Sequence, residues 1–150
     1  MSAPGRPAPS AWPSVAAAHV LVADDSPTNV FVLAGMLRVL GIPAVCAANG
    51  AEAVEMARAR PPALVFMDMQ MPRLDGIAAA RAIRAADPGR RVAIVAVTAT
   101  PGIDRRADFR AAGFDDLLLK PVELPAVRRV VERWIGIAAP REEPSPGPPA

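Results

Sequence analysis

The sequence predicts an α/β fold, a doubly wound parallel sheet of five strands with five helices. Two observations carry this. Short apolar runs alternate with helical stretches five times between residues 19 and 137, and that alternation implies a parallel sheet covered on both faces. Turn and capping residues stand at the junctions, so the boundaries are marked as well as the elements. Right-handed crossovers then leave a doubly wound sandwich, whose ligand site lies at the carboxyl ends of the strands.

Taken in order, residues 19–23 are the first strand. Ser26-Pro27 follows, an N-cap with proline at the first helical position, and the helix over 27–40 stops at Gly41. Residues 44–47 are a second short strand. Asn49 caps the next helix, and Glu52 three residues later completes a capping box. Residues 64–67 are the third strand, and Asp75-Gly76 starts a helix through about residue 86. Residues 92–97, rich in β-branched side chains, are the most strand-like segment. Thr100-Pro101 opens a fourth helix expected to end near Gly113, and residues 117–119 are the fifth strand. The last helix, about 123–134, puts Leu124, Val127, Val130, Val131 and Trp134 on one stripe, as core packing requires.

A length of 150 residues suits one domain, expected over 19–137. Residues 1–18 hold four prolines and residues 138–150 hold five; both ends read as disordered, proline-rich tails, with Trp12 in the first. Hydrophobic residues make up 52% of the chain but aromatics only 4%, so the core is built from Ala, Val, Leu and Ile. The net charge is +2 and the arginines are scattered, which argues against nucleic acid. Pairs such as Arg90-Arg91, Arg105-Arg106 and Arg128-Arg129 read as solvated helix ends and faces. The single cysteine, Cys46, excludes an internal disulfide and reads as a small core residue. With no secretory leader and no apolar stretch of membrane-spanning length, the expected location is the cytoplasm.

The strand ends carry the chemistry. The first ends in Asp24-Asp25, the third in Asp68, the fourth in Thr98 and the fifth in Lys120. Lys120 stands out because the other sixteen basic residues are all arginine. A compact ammonium and a planar guanidinium fork are not interchangeable at a tight anionic site. Three carboxylates on one rim repel one another unless a cation sits among them. Mg²⁺ fits such oxygen ligands, and metal, ammonium and hydroxyl together suit a phosphoryl group.

Asp24-Asp25, the run Met67-Asp68-Met69-Gln70-Met71-Pro72-Arg73-Leu74-Asp75-Gly76, Val97-Thr98-Ala99 and Lys120-Pro121 together resemble the receiver domain of two-component response regulators. The resemblance covers roughly residues 18–136, with the motifs in the family's order and spacing. Asp24-Asp25-Ser26-Pro27-Thr28-Asn29 and Ala112-Gly113-Phe114-Asp115-Asp116 further resemble receivers attached to hybrid histidine kinases.

The resemblance implies a flavodoxin-like sheet of strand order 2-1-3-4-5 and a set of roles. Asp68 is the phospho-acceptor, taking a phosphoryl group from phosphohistidine as an acyl phosphate. Asp25 binds Mg²⁺ directly (Mn²⁺ being the alternative), Asp24 assists through a water, and the backbone carbonyl of Gln70 completes the protein's share with Asp68. Thr98 and Lys120 each hold a phosphoryl oxygen, and Ala99 leaves it room. The Lys120-Pro121 bond is expected to be cis, and Gln70 and Thr100 tune acyl-phosphate lifetime. Leu117 departs from the Tyr or Phe that many receivers carry there, so Thr98 movement is kept while an aromatic rotamer switch is not.

Function is accordingly expected to be that of a stand-alone receiver in a phosphorelay, a regulator that catalyses only its own phosphorylation and dephosphorylation. Its partners are a histidine kinase or histidine phosphotransfer protein and an unidentified downstream protein, with neither nucleic acid nor membrane. It acts as a monomer or a phosphorylation-dependent dimer. The first helix is apolar beyond its core stripe, and Val32 and Met36 are the expected donor-docking residues. The alternative is a receiver-like interaction module that is not phosphorylated. A haloacid-dehalogenase-like phosphatase is disfavoured because Gln70 stands where its second acid is needed. A dinucleotide site is disfavoured because Asp-Asp-Ser-Pro replaces a glycine-rich turn.

Overall fold

The computed structural model describes residues 19–71 and 74–136. The two expected tails, Trp12, Pro72 and Arg73 lie outside the described residues.

The sheet has five parallel strands in the order β2-β1-β3-β4-β5. They are β1 (Val20–Ala23), β2 (Ala44–Ala47), β3 (Leu64–Asp68), β4 (Ala93–Thr98) and β5 (Asp116–Leu119). The helices are α1 (Pro27–Val39), α2 (Gly50–Ala59), α3 (Gly76–Ala85), α4 (Ala107–Ala111) and α5 (Leu124–Trp134). β1, β3 and β4 are buried along their whole length, because helices cover both faces of a parallel sheet. Two cores result. One holds Val20, Val22, Phe66, Val95 and Val97 against Leu33 and Leu37 of α1 and Val127, Val130 and Val131 of α5. The other packs Leu21, Val65, Met67 and Ile94 against Ala53 and Val54 of α2 and Ala79, Ala80 and Ile83 of α3. Alternate strand residues thus serve opposite cores, as the pleat dictates.

The helix starts follow their side chains. Ser26 Oγ accepts from the Asn29 N–H, Asn49 Oδ1 from Glu52 and Asp75 Oδ1 from Ala78. Glu52 Oε1 returns to the N–H of Ala48, one residue before the cap, so the box closes one position early.

Two expectations need correction. The fourth helix is not continuous from Thr100 to Gly113. A 3-10 turn (Ile103–Arg105) precedes α4, which has only five residues. Gly102 sits at φ 81° and Arg106 is extended (φ −71°, ψ 139°) with no side-chain cap bond, so the α-helical ladder breaks twice. Cys46 is exposed rather than a core residue. It lies on the edge strand β2, where no further strand covers it.

Candidate functional site

Register brings the chemistry to one rim. β1 and β3 pair Ala23 with Met67, so Asp24 and Asp68 leave the sheet side by side. β3 pairs Asp68 with Val97 and β4 pairs Thr98 with Leu119, so Thr98 stands one residue beyond the partner of Asp68 and Lys120 one residue beyond the partner of Thr98. In β1, β3, β4 and β5 an apolar run gives way to a polar residue at the carboxyl end, and the parallel ladder aligns those endings.

Asp24, Asp68 and Thr98 are buried, whereas Asp25 is exposed. One carboxylate oxygen from each of Asp24, Asp25 and Asp68 lies within 4.8 Å of the others. Lys120 Nζ donates to Asp68 Oδ1 at 3.2 Å and stands 3.9 Å from Asp24 Oδ2. Backbone donors finish the positioning: Ser26 N–H reaches Asp24 Oδ1 at 2.9 Å, and Gln70 N–H reaches Asp68 Oδ1 at 3.3 Å. Thr98 Oγ1 accepts from the Thr100 N–H at 3.1 Å. The Lys120-Pro121 peptide is cis.

Burial pushes the Asp68 carboxyl above its ordinary value, and the Asp24 charge pushes it further. The Gln70 N–H and the Lys120 ammonium oppose both. One ammonium thus faces three acids, leaving an excess of negative charge in a partly dry cleft. A hard divalent cation with oxygen ligands fits this donor set, and Asp24, Asp25 and Asp68 are the side chains that could hold it.

A groove of about 450 Å³ is lined by Asp24 and Lys120 together with Asn29, Val32, Leu33, Val97, Ala99 and Val122.

A family model described as the response regulator receiver domain matches residues 20–132. The chain belongs to that family. Similar proteins include the hybrid signal transduction protein dokA of Dictyostelium discoideum, 35% identical over 118 residues. That match covers 78% of this chain but 7% of the relative, so the chain spans only a small part of that protein's length. Among solved structures, the receiver domain of the sensor histidine kinase PA1611 from Pseudomonas aeruginosa matches with a TM-score of 0.73 and 38% identity, covering 80% of this chain and 98% of that one. That receiver has a magnesium ion coordinated in its active-site cleft. The receiver domain of Ssk1 from Saccharomyces cerevisiae, crystallised with the phosphotransfer protein Ypd1, matches with a TM-score of 0.71 and 33% identity, covering 78% of this chain and 88% of that one. Receiver domains are signalling regulators rather than enzymes acting on an external substrate.

Leu117 is half-buried beside Met69, Ala96, Ile103 and Phe109. Phe109 stacks on Phe114 with ring centroids 4.4 Å apart, a pair that packs into the same cluster from α4 and the turn after it. Helix α1 exposes Phe31 (75%), Val39 (70%) and Val32 (41%), while Met36 is half-buried against the core. Its exposed apolar face is therefore Phe31, Val32 and Val39 rather than Val32 and Met36. Periodicity identified the surplus of apolar residues but not which of them the core absorbs.

Proposed function

We propose that this receiver accepts a phosphoryl group on Asp68 from a phosphohistidine, in a Mg²⁺-dependent transfer within a phosphorelay, and signals through protein contacts. The observation that carries this reading is the ammonium of Lys120 held 3.2 Å from Asp68 Oδ1 in a cleft with two further acids. Nothing about a structural ion pair calls for two more carboxylates beside it.

In the transfer an Asp68 oxygen forms a bond to phosphorus as the phosphorus–nitrogen bond of phosphohistidine breaks. The bonding pair leaves with the imidazole, and the product is an acyl phosphate. Lys120 Nζ pairs with one phosphoryl oxygen in exchange for its bond to Asp68, and Thr98 Oγ1 donates to another. Ala99, with its small side chain, leaves room above Thr98. Asp24, Asp25, Asp68 and the backbone carbonyl of Gln70 would hold the metal, with Mn²⁺ as a substitute. When bound, the metal neutralises charge on the acids and on the phosphoryl oxygens. The likeness to a receiver with magnesium in its cleft supports the metal, and the likeness to a receiver crystallised with a histidine phosphotransfer protein supports the donor.

Donor docking falls to the α1 side of the groove, which Val32 lines together with Asp24 and Lys120. The test is transfer from a phosphorylated histidine phosphotransfer protein, followed with and without a chelator. Label moving to the receiver in Mg²⁺ and staying on the donor in chelator is expected. Transfer that proceeds equally in both would contradict the metal assignment, and no transfer from any such donor would contradict the phosphorelay.

A further inference from the structure

Three of the four exposed large hydrophobic side chains among the described residues stand on α1: Phe31, Val32 and Val39. Phe31, Gly35 and Val39 recur every fourth residue, so they share one stripe along the helix. A Cβ at Gly35 would meet nothing within 4 Å. The stripe is therefore a notch, bare backbone with an apolar side chain at each end. Glycine weakens a helix interior, and no close neighbour requires it here. Arg38 is the only charged residue of α1, so whatever fills the notch is held by apolar contact.

The chain itself supplies an occupant. The Val20 N–H donates to the Pro43 carbonyl at 3.0 Å, and Val20 pairs with Ala44. Residues 1–18 thus join the fold beside the turn that follows α1, at the Val39 end of the notch. Trp12 stands seven positions before His19. At about 3.3 Å per extended residue that stretch reaches roughly 23 Å. The rise of about 1.5 Å per helical residue separates Phe31 from Val39 by only about 12 Å, so the whole notch is within range. Trp12 is also the only aromatic residue outside the described ones, and Arg6 is the only charged side chain in 1–18. Residues 137–150 offer only Ile137 as a large apolar side chain. Pro13 follows Trp12 directly, and proline lowers the entropy lost when a segment docks.

We propose that the segment around Trp12 docks on the outer face of α1, its indole in the notch at Gly35 between Phe31 and Val39. An indole there packs against the Phe31 ring and buries the most exposed side chains of the helix. It also covers part of the face assigned to the phosphoryl donor. Transfer from a protein donor is slowed, while a small phosphodonor keeps its path to Asp68. That consequence rests on the reading of α1 as the docking side; the contact itself does not.

The experiment follows the valine methyl groups of the full chain by NMR, in the wild type and in Trp12→Ser. An indole in the notch shifts the Val39 methyls by its ring current. Expected is a Val39 resonance that moves on Trp12→Ser while Val127 and Val130 of the core stay fixed. An unmoved Val39 overturns the contact. A difference that vanishes on dilution overturns the intrachain contact too, because the indole then comes from a second copy. The same two proteins are then given a phosphorylated histidine phosphotransfer protein or a small phosphodonor. Expected is several-fold faster transfer to Trp12→Ser from the protein donor and an equal rate from the small one. A moved Val39 with equal rates from the protein donor, or the same gain with both donors, overturns the covering of the docking face. No transfer from the protein donor to either chain overturns the phosphorelay reading and the inhibitory role with it, and the methyl result decides the contact by itself.

Discussion

Lys120 shows at single-residue scale why this arginine-rich chain has kept one lysine at the rim. Its ammonium must reach Asp68 Oδ1 from the end of β5 while Asp24 Oδ2 stands 3.9 Å away, and a planar fork carrying five N–H donors needs more width than that. Lys120→Arg should therefore melt within a few degrees of the wild type yet gain a phosphoryl group much more slowly, read by paired melting and phosphorylation time courses. Equal rates would show that any cation serves. At the opposite end of the sheet, His19 is buried at the entry to β1. Burial first, and the Arg60 charge second, hold its imidazole below the ordinary 6.5, against an opposing backbone hydrogen bond at Arg60. The unfolded chain therefore binds a proton that the folded chain refuses. The resulting stability is fully present above pH ~6.5 and is lost as pH falls through the lowered folded value. The melting temperature should fall over that window, and His19→Gln should flatten the fall; an unchanged slope would remove His19 as its source.

At the scale of elements, close approach matters more than propensity. Helix α3 begins directly against the end of β3: a Cβ at Gly76 would stand 2.6 Å from the Asp68 carbonyl oxygen and 2.9 Å from Met69 Cα. Both are backbone atoms that cannot yield as a flexible side chain does. Gly76→Ala should cost about 1–3 kcal/mol in denaturant melts, the usual range for overpacking, and should slow phosphorylation because Asp68 moves with the backbone. A neutral effect on both would mean that α3 has slack. Helix α5 is joined to β5 by Trp134 Nε1 and Asp116. Trp134→Phe keeps an aromatic ring but removes that donor, at about 1 kcal/mol in denaturant melts, while the acid cleft should stay unchanged. The fourth helix was not legible as two pieces, because Thr100-Pro101 and Gly113 are ordinary start and stop signals. Neither signal reveals that Gly102 and Arg106 interrupt the ladder between them.

Across the whole molecule, what could be read from the sequence is what parallel pairing makes automatic. Once five apolar runs alternate with helices, the residues that end them must share a rim, so Asp24, Asp25, Asp68, Thr98 and Lys120 were visible as a group. The strand endings moved by one residue at most, as at Asp68 and Thr98. What could not be read depends on packing between distant segments. Arg84 pairs with Asp115, 31 residues away, and no local pattern links them. The exposure of Cys46 follows from β2 lying at the sheet edge, and that of Phe31 and Val39 from the rotation of α1 on its core. The last of these bears on docking: Val32→Glu should leave the melting temperature near wild type, since the side chain is 41% exposed, but should slow transfer from a phosphotransfer protein. Phosphorylation by a small donor should be untouched, and an equal loss with both donors would place Val32 in the site rather than the docking face. The central claim, that Asp68 is the phospho-acceptor, is tested most directly by the intact mass of the chain after incubation with Mg²⁺ and a small phosphodonor. One added phosphoryl group on the wild type and none on Asp68→Asn is the expected result; no gain on the wild type, or the same gain on both, would contradict it.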